Sequence, residues 1–410
     1  MRQLTVLLGV VVIGLAGVAG PAMASHEIVI GLQCDRTGAT QTVGVNLCPG
    51  YHDYIRLVNA KGGVEGHKVK ALEIDHEYKV PAAVEAYERH KKEGAVLISL
   101  YGTPQTYALT QKLTEDRIPG TSPGFGAAAA ADGIRYPYLF PIAATYWSQG
   151  AAAVKFAKDQ LNGLKGKKIA FLFFDNPAGR EPIPVLEDLA AKEGFQLKTF
   201  AVPPPGVEMG AQALDISQRY RADFVIAHLF GRSPSVSIKE FKRVGYPLRK
   251  VVSFVWGAAE ADVEAAGGFA VAEGYNAMQF AGVGPDFPVL NEIREMYKKE
   301  GKEPPKEMAS TVFYNRGVLI AALHVEAIRN AVKAKPDGKL TGDDVKKGFE
   351  KIKGFTLGGL VPPLEITPTD HEGGGLVQIW QVKGGKFVKM TEWYKAYPEV
   401  VAKHIKEAKS

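Results

Sequence analysis

Short apolar runs alternate with helical patterns along most of the chain. The apolar runs of strand length lie at 28–30, 69–74, 96–100, 169–174, 224–227 and 251–255. The stretches that follow them carry apolar residues at the three- and four-residue spacing of an amphipathic helix. Continuous apolar strands separated by helices are typical of parallel sheets that helices cover on both faces. The pattern therefore predicts an α/β protein with doubly wound sheets.

The alternation falls into two similar halves. The first half ends near Ile142, where the segment 136–141 interrupts the rhythm, and the second begins with a helix at about residue 145. Two doubly wound lobes of roughly 120 residues fit this arrangement better than one sheet of about ten or more strands. Helical patterns return after Tyr275, and a hairpin follows at 376–390. Packing the late helices against the first lobe is the economical solution.

The predicted domain organisation is therefore discontinuous. An N-terminal lobe takes residues 25–143 and 278–355, and a C-terminal lobe takes residues 144–277 and 356–410.

The segment 1–24 has the pattern of a cleavable export signal. Residues 1–3 supply a positive start, residues 4–20 are apolar and uncharged, and Ala-Met-Ala at 22–24 offers small residues to a signal peptidase. Cleavage near Ala24 would place the mature protein in the periplasm. An uncleaved membrane anchor is the alternative, but the apolar run is short and leads into small residues. No cysteine stands at this exit to carry a lipid.

The composition is that of an ordinary globular protein with a large core. The chain has 410 residues, of which 46% are hydrophobic and 23% are charged. Its 50 basic and 44 acidic residues give a formal net charge of +6 and are scattered along the whole chain. Since no basic block of the kind that binds phosphates is present, we expect no nucleic-acid partner.

The sequence contains two cysteines, Cys34 and Cys48, on either side of the segment 35–47. In an exported chain a minimal even pair favours one disulfide over two free thiols. The bond would close a loop of about 15 residues and contribute on the order of 3 kcal/mol in the chain-entropy model. This loop joins the first strand to the first helix, a place where α/β proteins bind ligands. We therefore predict a disulfide that shapes a binding loop.

The sequence offers little for catalysis. It has no G-x-x-x-x-G-K-[ST] and no H-E-x-x-H motif. The segments 75–77 and 370–372, both Asp-His-Glu, look like metal or acid–base clusters, but consecutive residues of a strand or turn point in different directions. We therefore expect surface or turn polarity at both places, and predict no catalytic residue, no cofactor and no metal site.

A signal for ligand binding follows the strand that ends near Leu100. In Tyr101-Gly102-Thr103-Pro104, Thr103 suits a helix N-cap and Pro104 suits the first helical position. Amides of a first helical turn lack intrahelical partners, and the helix dipole favours an anion there. These amides and the Thr103 hydroxyl are therefore candidates to hold a ligand carboxylate. A plain capped helix is the alternative.

Aromatic residues stand at several predicted strand exits. They are Tyr101, Phe125, Phe230 and Trp256. Gly124 and Gly126 would let a ligand approach the backbone beside Phe125. Each aromatic taken alone is more simply a cap on the core, but all of them together predict a ligand platform. Arg180 and Arg232 lie on strand-exit loops of the second half, where they could clamp a carboxylate, although each taken alone is more simply a solvated surface arginine.

A resemblance to a known family is carried by five stretches of the chain. The most specific is Asn59-Ala60-Lys61-Gly62-Gly63-Val64-Glu65-Gly66. The supporting stretches are the strand reaching Asp75, the segment 118–124, the Tyr314-Asn315 pair and the closing segment 371–379. From Glu27 to about Trp393 the sequence resembles the leucine/isoleucine/valine-type substrate-binding proteins of ATP-driven importers, which have the type I periplasmic-binding fold.

The resemblance implies two α/β lobes joined by a three-segment hinge, with a ligand held in the cleft by hinge closure. In relatives that bind amino acids, the loops matching 101–103 and 124–127 hold the ligand carboxylate and part of its ammonium. The acidic side chain that completes the ammonium site is replaced here by Trp256, and an aromatic of the 175–180 loop by Ala178 or Pro177. Because a desolvated ammonium needs a negative partner, the departure favours a ligand without an α-amino group.

We therefore predict an extracytoplasmic solute-binding protein of an ABC importer, not an enzyme, which captures a small hydrophobic or aromatic carboxylate and docks on a membrane permease. The alternatives are a branched-chain amino acid or amide as the ligand, a sensory ligand-binding protein, and an exported hydrolase that uses residues 75–77. The predicted ligand-binding residues are Tyr101, Gly102, Thr103, Phe125, Gly126, Ala127, Arg180, Phe230 and Trp256.

Overall fold

The computed structural model describes residues 26–408, which form strands and helices in alternation. The predicted signal peptide at 1–24 lies outside the described residues. The strands are β1 Ile28–Cys34, β2 Val69–Asp75, β3 Leu97–Ser99, β4 Gly120–Thr121, β5 Leu139–Phe140, β6 Lys168–Phe174, β7 Gln196–Val202, β8 Phe224–His228, β9 Val251–Ser253, β10 Asn276–Gln279, β11 Lys353–Phe355, β12 Leu364–Glu365, β13 Gln378–Lys383 and β14 Lys386–Lys389.

The α-helices cover the sheets and the late part of the chain. They are α1 Gln41–Ala60, α2 Val80–Lys92, α3 Thr103–Asp116, α4 Tyr146–Gln160, α5 Pro177–Arg180, α6 Ile183–Glu193, α7 Gly210–Leu214, α8 Ser233–Arg243, α9 Glu260–Ala265, α10 Pro288–Lys299, α11 Thr311–Ala334, α12 Gly342–Phe349 and α13 Pro398–Glu407.

Two separate sheets confirm the prediction of a two-lobed α/β fold. The first sheet has the order β2-β1-β3-β4-β5, and its strands are parallel throughout. The second has the order β14-β13-β10-β9-β8-β6-β7, in which β13 is antiparallel to both of its neighbours and the other pairs are parallel. Every predicted apolar run overlaps a strand. Central strands such as β6 and β8 are buried on both faces, which favours uninterrupted apolar residues.

The strands β7 and β10 are among those that the sequence pattern missed. The edge strand β7 is largely exposed, so polar residues interrupt its apolar pattern. The strand β10 is fully buried but reads Asn-Ala-Met-Gln, and its polar side chains find partners inside. The Asn276 amide donates to the carbonyl of Val251 at 2.8 Å, and the Gln279 amide donates to the carbonyl of Ala258 at 2.7 Å.

The late helices return to the first lobe, where α11 packs against α1. A Cβ at Gly317 would overlap the carbonyl oxygen of Leu47, and one at Gly50 would overlap that of Tyr314. These glycines let the two helix backbones come close together. The Tyr314 hydroxyl also donates to the Asp53 carboxylate across this contact at 2.7 Å. The helices therefore follow the predicted route, while the predicted domain bounds stay a prediction.

The chain passes between the sheets three times, and two of these passages are hydrogen-bonded to each other. The Ala143 amide, between β5 and α4, donates to the carbonyl of Glu372, and the Gly375 amide donates back to Ala143, both at 2.8 Å. The Thr145 amide donates to the Glu372 carboxylate at 2.7 Å. The third passage follows β10, where the Gly282 amide donates to the carbonyl of Leu360 at 2.7 Å.

The predicted disulfide between Cys34 and Cys48 is present. It ties the end of β1 to α1 and closes the loop between them. None of the helices in the described part of the chain is both long and apolar enough to cross a membrane.

Candidate ligand-binding site

Aromatic side chains from both lobes meet where the two sheets face each other. This aromatic cluster consists of Tyr78, Tyr101, Phe125, Tyr146, Phe230 and Trp256, and together with Thr40 and Val43 it encloses a cavity of about 10 Å³. The rings of Phe125 and Trp256 are stacked, with centroids 4.3 Å apart and planes 12° from parallel. The ring centroids of Tyr101 and Phe125 lie 5.6 Å apart. The cluster therefore joins the lobes through direct ring contacts.

Strand exits place most of the cluster. Tyr101 follows β3, Phe125 follows β4, Phe230 follows β8 and Trp256 follows β9. Because the carboxyl ends of parallel strands lie at one edge of a sheet, the residues after them converge at that edge. The four aromatic residues that the sequence predicted as a platform are thus brought together.

The cluster is polar only through hydroxyl groups and the Trp256 indole. Among the described residues that line its cavity, none carries a charged side chain. Burial raises the pKa values of Tyr101 and Tyr146 well above that of a free tyrosine, so both hydroxyls stay neutral at neutral pH. The Tyr101 hydroxyl donates to the carbonyl of Thr40 at 3.2 Å. The Trp256 indole donates to the carbonyl of Gly124, in the other lobe, at 2.7 Å.

Trp256 is held from behind by a buried arginine. It is 2% exposed, and the Arg316 guanidinium lies 5.0 Å from the centroid of its ring. Arg316 projects from α11 and donates to the carbonyl of Val255 and to the side chain of Gln279. Trp256 therefore belongs to the buried core and also contributes one ring face to the aromatic cluster.

A glutamate of the second lobe bonds directly to the first lobe. The Glu181 carboxylate accepts hydrogen bonds from the amides of Ala127 and Ala128, at 3.1 and 2.8 Å. It also accepts one from the Tyr107 hydroxyl at 2.6 Å. Removal of water from around this side chain raises its pKa above that of a free glutamate, although the three hydrogen bonds oppose the shift. Glu181 is therefore a polar contact between the lobes beside the cluster.

A larger cavity lies next to the aromatic cluster and is called here the outer chamber. Its volume is about 630 Å³, and it shares Thr40, Tyr78 and Phe230 with the cluster. Its other lining residues are Thr37, Gly38, Ala39 and Gln41 from the first lobe and Phe174, Asn176, Pro204, Pro205, Val207 and Arg232 from the second. Both lobes therefore contribute to the chamber.

The structure corrects the predicted cap of α3. The helix begins at Thr103, and Gly102 is the N-cap. Thr103 makes no capping bond, because its hydroxyl accepts a hydrogen bond from the amide of Gly126 at 3.1 Å. The amide of Ala127, another predicted ligand-binding residue, donates to the Glu181 carboxylate. The Thr103 hydroxyl and the amides of Gly126 and Ala127 are therefore engaged in hydrogen bonds within the protein.

Arg180 is not brought to the cluster or to the outer chamber. Its guanidinium forms an ion pair with Asp175 at 2.6 Å, and its side chain is 63% exposed. The short helix α5 turns it back toward the end of β6. Arg232, by contrast, does line the outer chamber.

The sequence interpretation missed several residues around the cluster. Tyr78 and Tyr146 line its cavity, Thr40 and Val43 complete it, and Glu181 bonds the lobes together beside it. Thr40 and Val43 lie within the segment closed by the disulfide, and the prediction that this loop binds a ligand could have identified them. Tyr78 follows the strand β2 by three residues, so the strand-exit argument could have found it, whereas Tyr146 follows none of the predicted apolar runs.

The two Asp-His-Glu segments lie at turns and are exposed only in part: Glu77 and Asp370 are exposed, as the sequence analysis expects. His76, His371 and Glu372 are buried. The His371 ring stacks on Phe140 with centroids 3.9 Å apart, and Glu372 holds the interlobe passage described above. These buried side chains therefore have structural roles, since they pack against other rings or form hydrogen bonds within the protein.

Ser122 gives the segment 120–124 the spacing G-x-S-x-G, which is found at the nucleophile of some hydrolases. Its hydroxyl is buried and contacts the carbonyl of Gly126 at 3.4 Å. No histidine among residues 26–408 hydrogen-bonds to it, so this serine lacks the general base that such a nucleophile needs.

Comparisons with known proteins agree with this architecture. A family model described as periplasmic binding protein matches residues 27–386. A crystal structure described as an ABC transporter permease from the Pseudomonas fluorescens group is 32% identical, with a TM-score of 0.83, over 93% of this chain and 95% of that one. A search of curated proteins found no match.

Two further structures show the fold at lower identity. A branched-chain amino acid ABC transporter protein from Thermus thermophilus with bound valine is 22% identical, with a TM-score of 0.80, over 92% of this chain and 98% of that one. A solute-binding protein from R. palustris in complex with benzoate is 18% identical, with a TM-score of 0.71, over 89% of this chain and 95% of that one.

Proposed function

The chain belongs to the periplasmic binding protein family and is a solute-binding protein, and we propose that its ligand is a small hydrophobic or aromatic carboxylate. In this proposal the protein works in the periplasm, captures the acid between its two lobes and delivers it to the membrane permease of an ABC importer. It releases the acid chemically unchanged.

The observation that carries the proposal is the composition of the aromatic cluster. Six rings from both lobes line its cavity, and no acidic side chain of the described residues does. The ammonium of an amino acid needs a negative partner when water is removed, because an unpaired buried charge is very costly. A ligand with an apolar body and no ammonium avoids that cost.

The carboxylates nearest to the cluster already have donors of their own. Asp35 accepts hydrogen bonds from the amides of Gly38 and Thr40, at 2.5 and 2.7 Å, and from the Thr40 hydroxyl at 2.7 Å. Glu181 accepts the three bonds described above. Both carboxylates therefore have most of their acceptor sites occupied by donors of the protein itself.

The relatives support two ligand classes. The R. palustris protein was solved with benzoate, an aromatic acid without an amino group, and the Thermus protein with valine. The aromatic cluster favours the first class for this chain, and an amino acid is the competing candidate.

Closure would follow from ligand contacts that both lobes supply. A ligand that touches the cluster from both sides binds the closed arrangement better than an open one, and it shifts the equilibrium by that difference in affinity. The hydrogen-bonded passages around Ala143 and Glu372 are the natural pivot for such a motion.

The test is calorimetric titration of the purified protein with leucine, benzoate and 3-phenylpropanoate. We expect binding of at least one of the two acids and weaker or undetectable binding of leucine. Tight binding of leucine without a response to either acid would contradict the proposal.

A further inference from the structure

We propose that the outer chamber receives the carboxylate of the ligand, with Arg232 as its cationic partner, and that the ligand is therefore an aryl- or alkyl-carboxylate longer than benzoate. The inference rests on the proposed function and adds to it the partner of the charged group and the length class of the acid.

The aromatic cluster has little room for the carboxylate, and three backbone amides beside it are already bonded. Its cavity of about 10 Å³ is the size of one water molecule. The amides of Ala127 and Ala128 are bonded to Glu181, and that of Gly126 is bonded to Thr103. A charged group brought there would have to displace bonds that the lobes make with each other.

The outer chamber has the room. Its volume of about 630 Å³ falls within the range of roughly 300–1,000 Å³ that is typical of pockets for drug-sized ligands. A single-ring acid such as benzoate would leave much of it unfilled. Because Thr40, Tyr78 and Phe230 line both cavities, one molecule can touch the cluster and extend into the chamber.

Arg232 supplies the charge that the cluster lacks. It is exposed, it is the charged member of the residues that line the chamber, and no ion pair or hydrogen bond of its guanidinium occurs within residues 26–408. The planar guanidinium matches a carboxylate with two parallel hydrogen bonds. Asn176, a polar neighbour, already accepts a bond from the amide of Gly179 at 2.9 Å.

The backbone beside Arg232 is fixed at the contact between the lobes. Gly231 has φ of 67°, and a Cβ there would overlap the carbonyl oxygen of Ala39 from the other lobe. A glycine is therefore needed for the two loops to meet. Arg232 is presented at a position where closure of the lobes would surround a bound carboxylate.

Apolar side chains line the wall of the outer chamber between Arg232 and the aromatic cluster. The rings of Phe174 and Phe230 lie 4.8 Å apart, and Pro204, Pro205 and Val207 form the rest of the apolar wall. An acid with its ring or chain on this wall buries apolar surface at both ends of its body, which a compact acid cannot do.

The experiment is a cycle of two ligands and two proteins, measured by calorimetric titration. The ligands are 3-phenylpropanoate and its neutral isostere 3-phenylpropanamide, and the proteins are the wild type and Arg232→Gln. We expect the substitution to lower the affinity for the acid tenfold or more and to change the affinity for the amide by no more than about twofold. The reason is that only the acid carries the charge that pairs with Arg232. Benzoate should bind the wild type more weakly than 3-phenylpropanoate.

Arg180→Gln is the matched control, since Arg180 is the neighbouring exposed arginine whose charge already pairs with Asp175. It should leave the affinity for both ligands unchanged, and thermal unfolding should show that both variants are folded. If Arg232→Gln binds the acid as tightly as the wild type, or weakens the amide equally, the inference is wrong while the proposed function stands. If the wild type binds neither acid but binds leucine, or binds none of them, both are wrong.

Discussion

The two ends of the cleft are built differently. At the aromatic cluster the lobes contact each other directly, through the stacked rings of Phe125 and Trp256 and through the bonds from Ala127 and Ala128 to Glu181. At the outer chamber the loops of the two lobes stand around a space of about 630 Å³, and Arg232 faces it without a partner in the described chain. The inner end is packed like a core, and the outer end is shaped like a binding pocket.

This difference separates two tasks within one cleft. The inner end determines how the lobes fit together, because its groups are satisfied by one another across the interface. The outer end determines what is bound, because the guanidinium of Arg232 pairs with no group of residues 26–408 and is open to a ligand. Substitutions at the inner end should therefore change the stability of the protein first, and substitutions at the outer end its affinity first.

The largest effect is expected from Trp256→Ala. Trp256 is buried, stacked on Phe125 and bonded to Gly124, so its removal should lower the free energy of unfolding by about 3–5 kcal/mol. Chemical denaturation of the variant and the wild type measures this. Trp393→Ala is the control, since that tryptophan is only half-buried and should cost less. Equal stability of Trp256→Ala and wild type would show that the inner end is not core.

Removal of the disulfide is expected to come next. The bond between Cys34 and Cys48, 14 residues apart, constrains the loop that leads into the outer chamber, and replacing both by alanine should cost about 3 kcal/mol. Reductant should lower the melting temperature of the wild type by about as much as the double substitution does. It should leave the melting temperature of the double variant unchanged. A double variant as stable as the wild type would contradict this account of the loop.

Glu181→Ala should have a smaller effect on stability. It leaves the amides of Ala127 and Ala128 and the Tyr107 hydroxyl without their acceptor, at a cost of about 1–3 kcal/mol. Because these bonds join the lobes, small-angle scattering should also show a larger radius of gyration. Glu187→Ala, on an exposed position nearby, should change neither quantity. A compact and fully stable Glu181→Ala variant would show that other contacts hold the lobes together.

The smallest effect is a pH dependence that follows from the same side chain. Loss of surrounding water raises the pKa of Glu181, so the folded protein binds this proton more tightly than the unfolded chain does. The corresponding stability is present below the ordinary pKa of a glutamate and is lost as the pH rises through the raised value. The slope should not exceed about 1.4 kcal/mol per pH unit. Denaturation across this range should show a steeper fall of stability in the wild type than in Glu181→Gln, because Asp262 and Glu372 also have raised pKa values and titrate in both proteins. Identical profiles would contradict the assignment.

Features set by local pattern were predictable from the sequence. The apolar runs at 28–30 and 169–174 identify β1 and β6, because a parallel strand covered on both faces has no polar positions. Tyr101, Phe230 and Trp256 were found for a related reason, since residues after parallel strands gather at one edge of a sheet. The disulfide followed from the cysteine count in a chain whose segment 1–24 predicts export.

Features set by the meeting of the lobes were not predictable. Glu181 binds the first lobe only because the lobes face each other as they do, and no periodicity in its neighbourhood encodes that partner. Arg180 and Arg232 have similar positions after strands, yet local pairing with Asp175 turns the first away and leaves the second on the chamber. The predicted roles of both arginines depended on side-chain directions that the sequence pattern does not contain.

The most direct test of the central claim is mass spectrometry of the small molecule that accompanies the natively purified protein and is released on denaturation. The account predicts a hydrophobic carboxylic acid, longer than benzoate, without an α-amino group and chemically intact. Stoichiometric release of an amino acid, or of a product that the protein has altered, would contradict it.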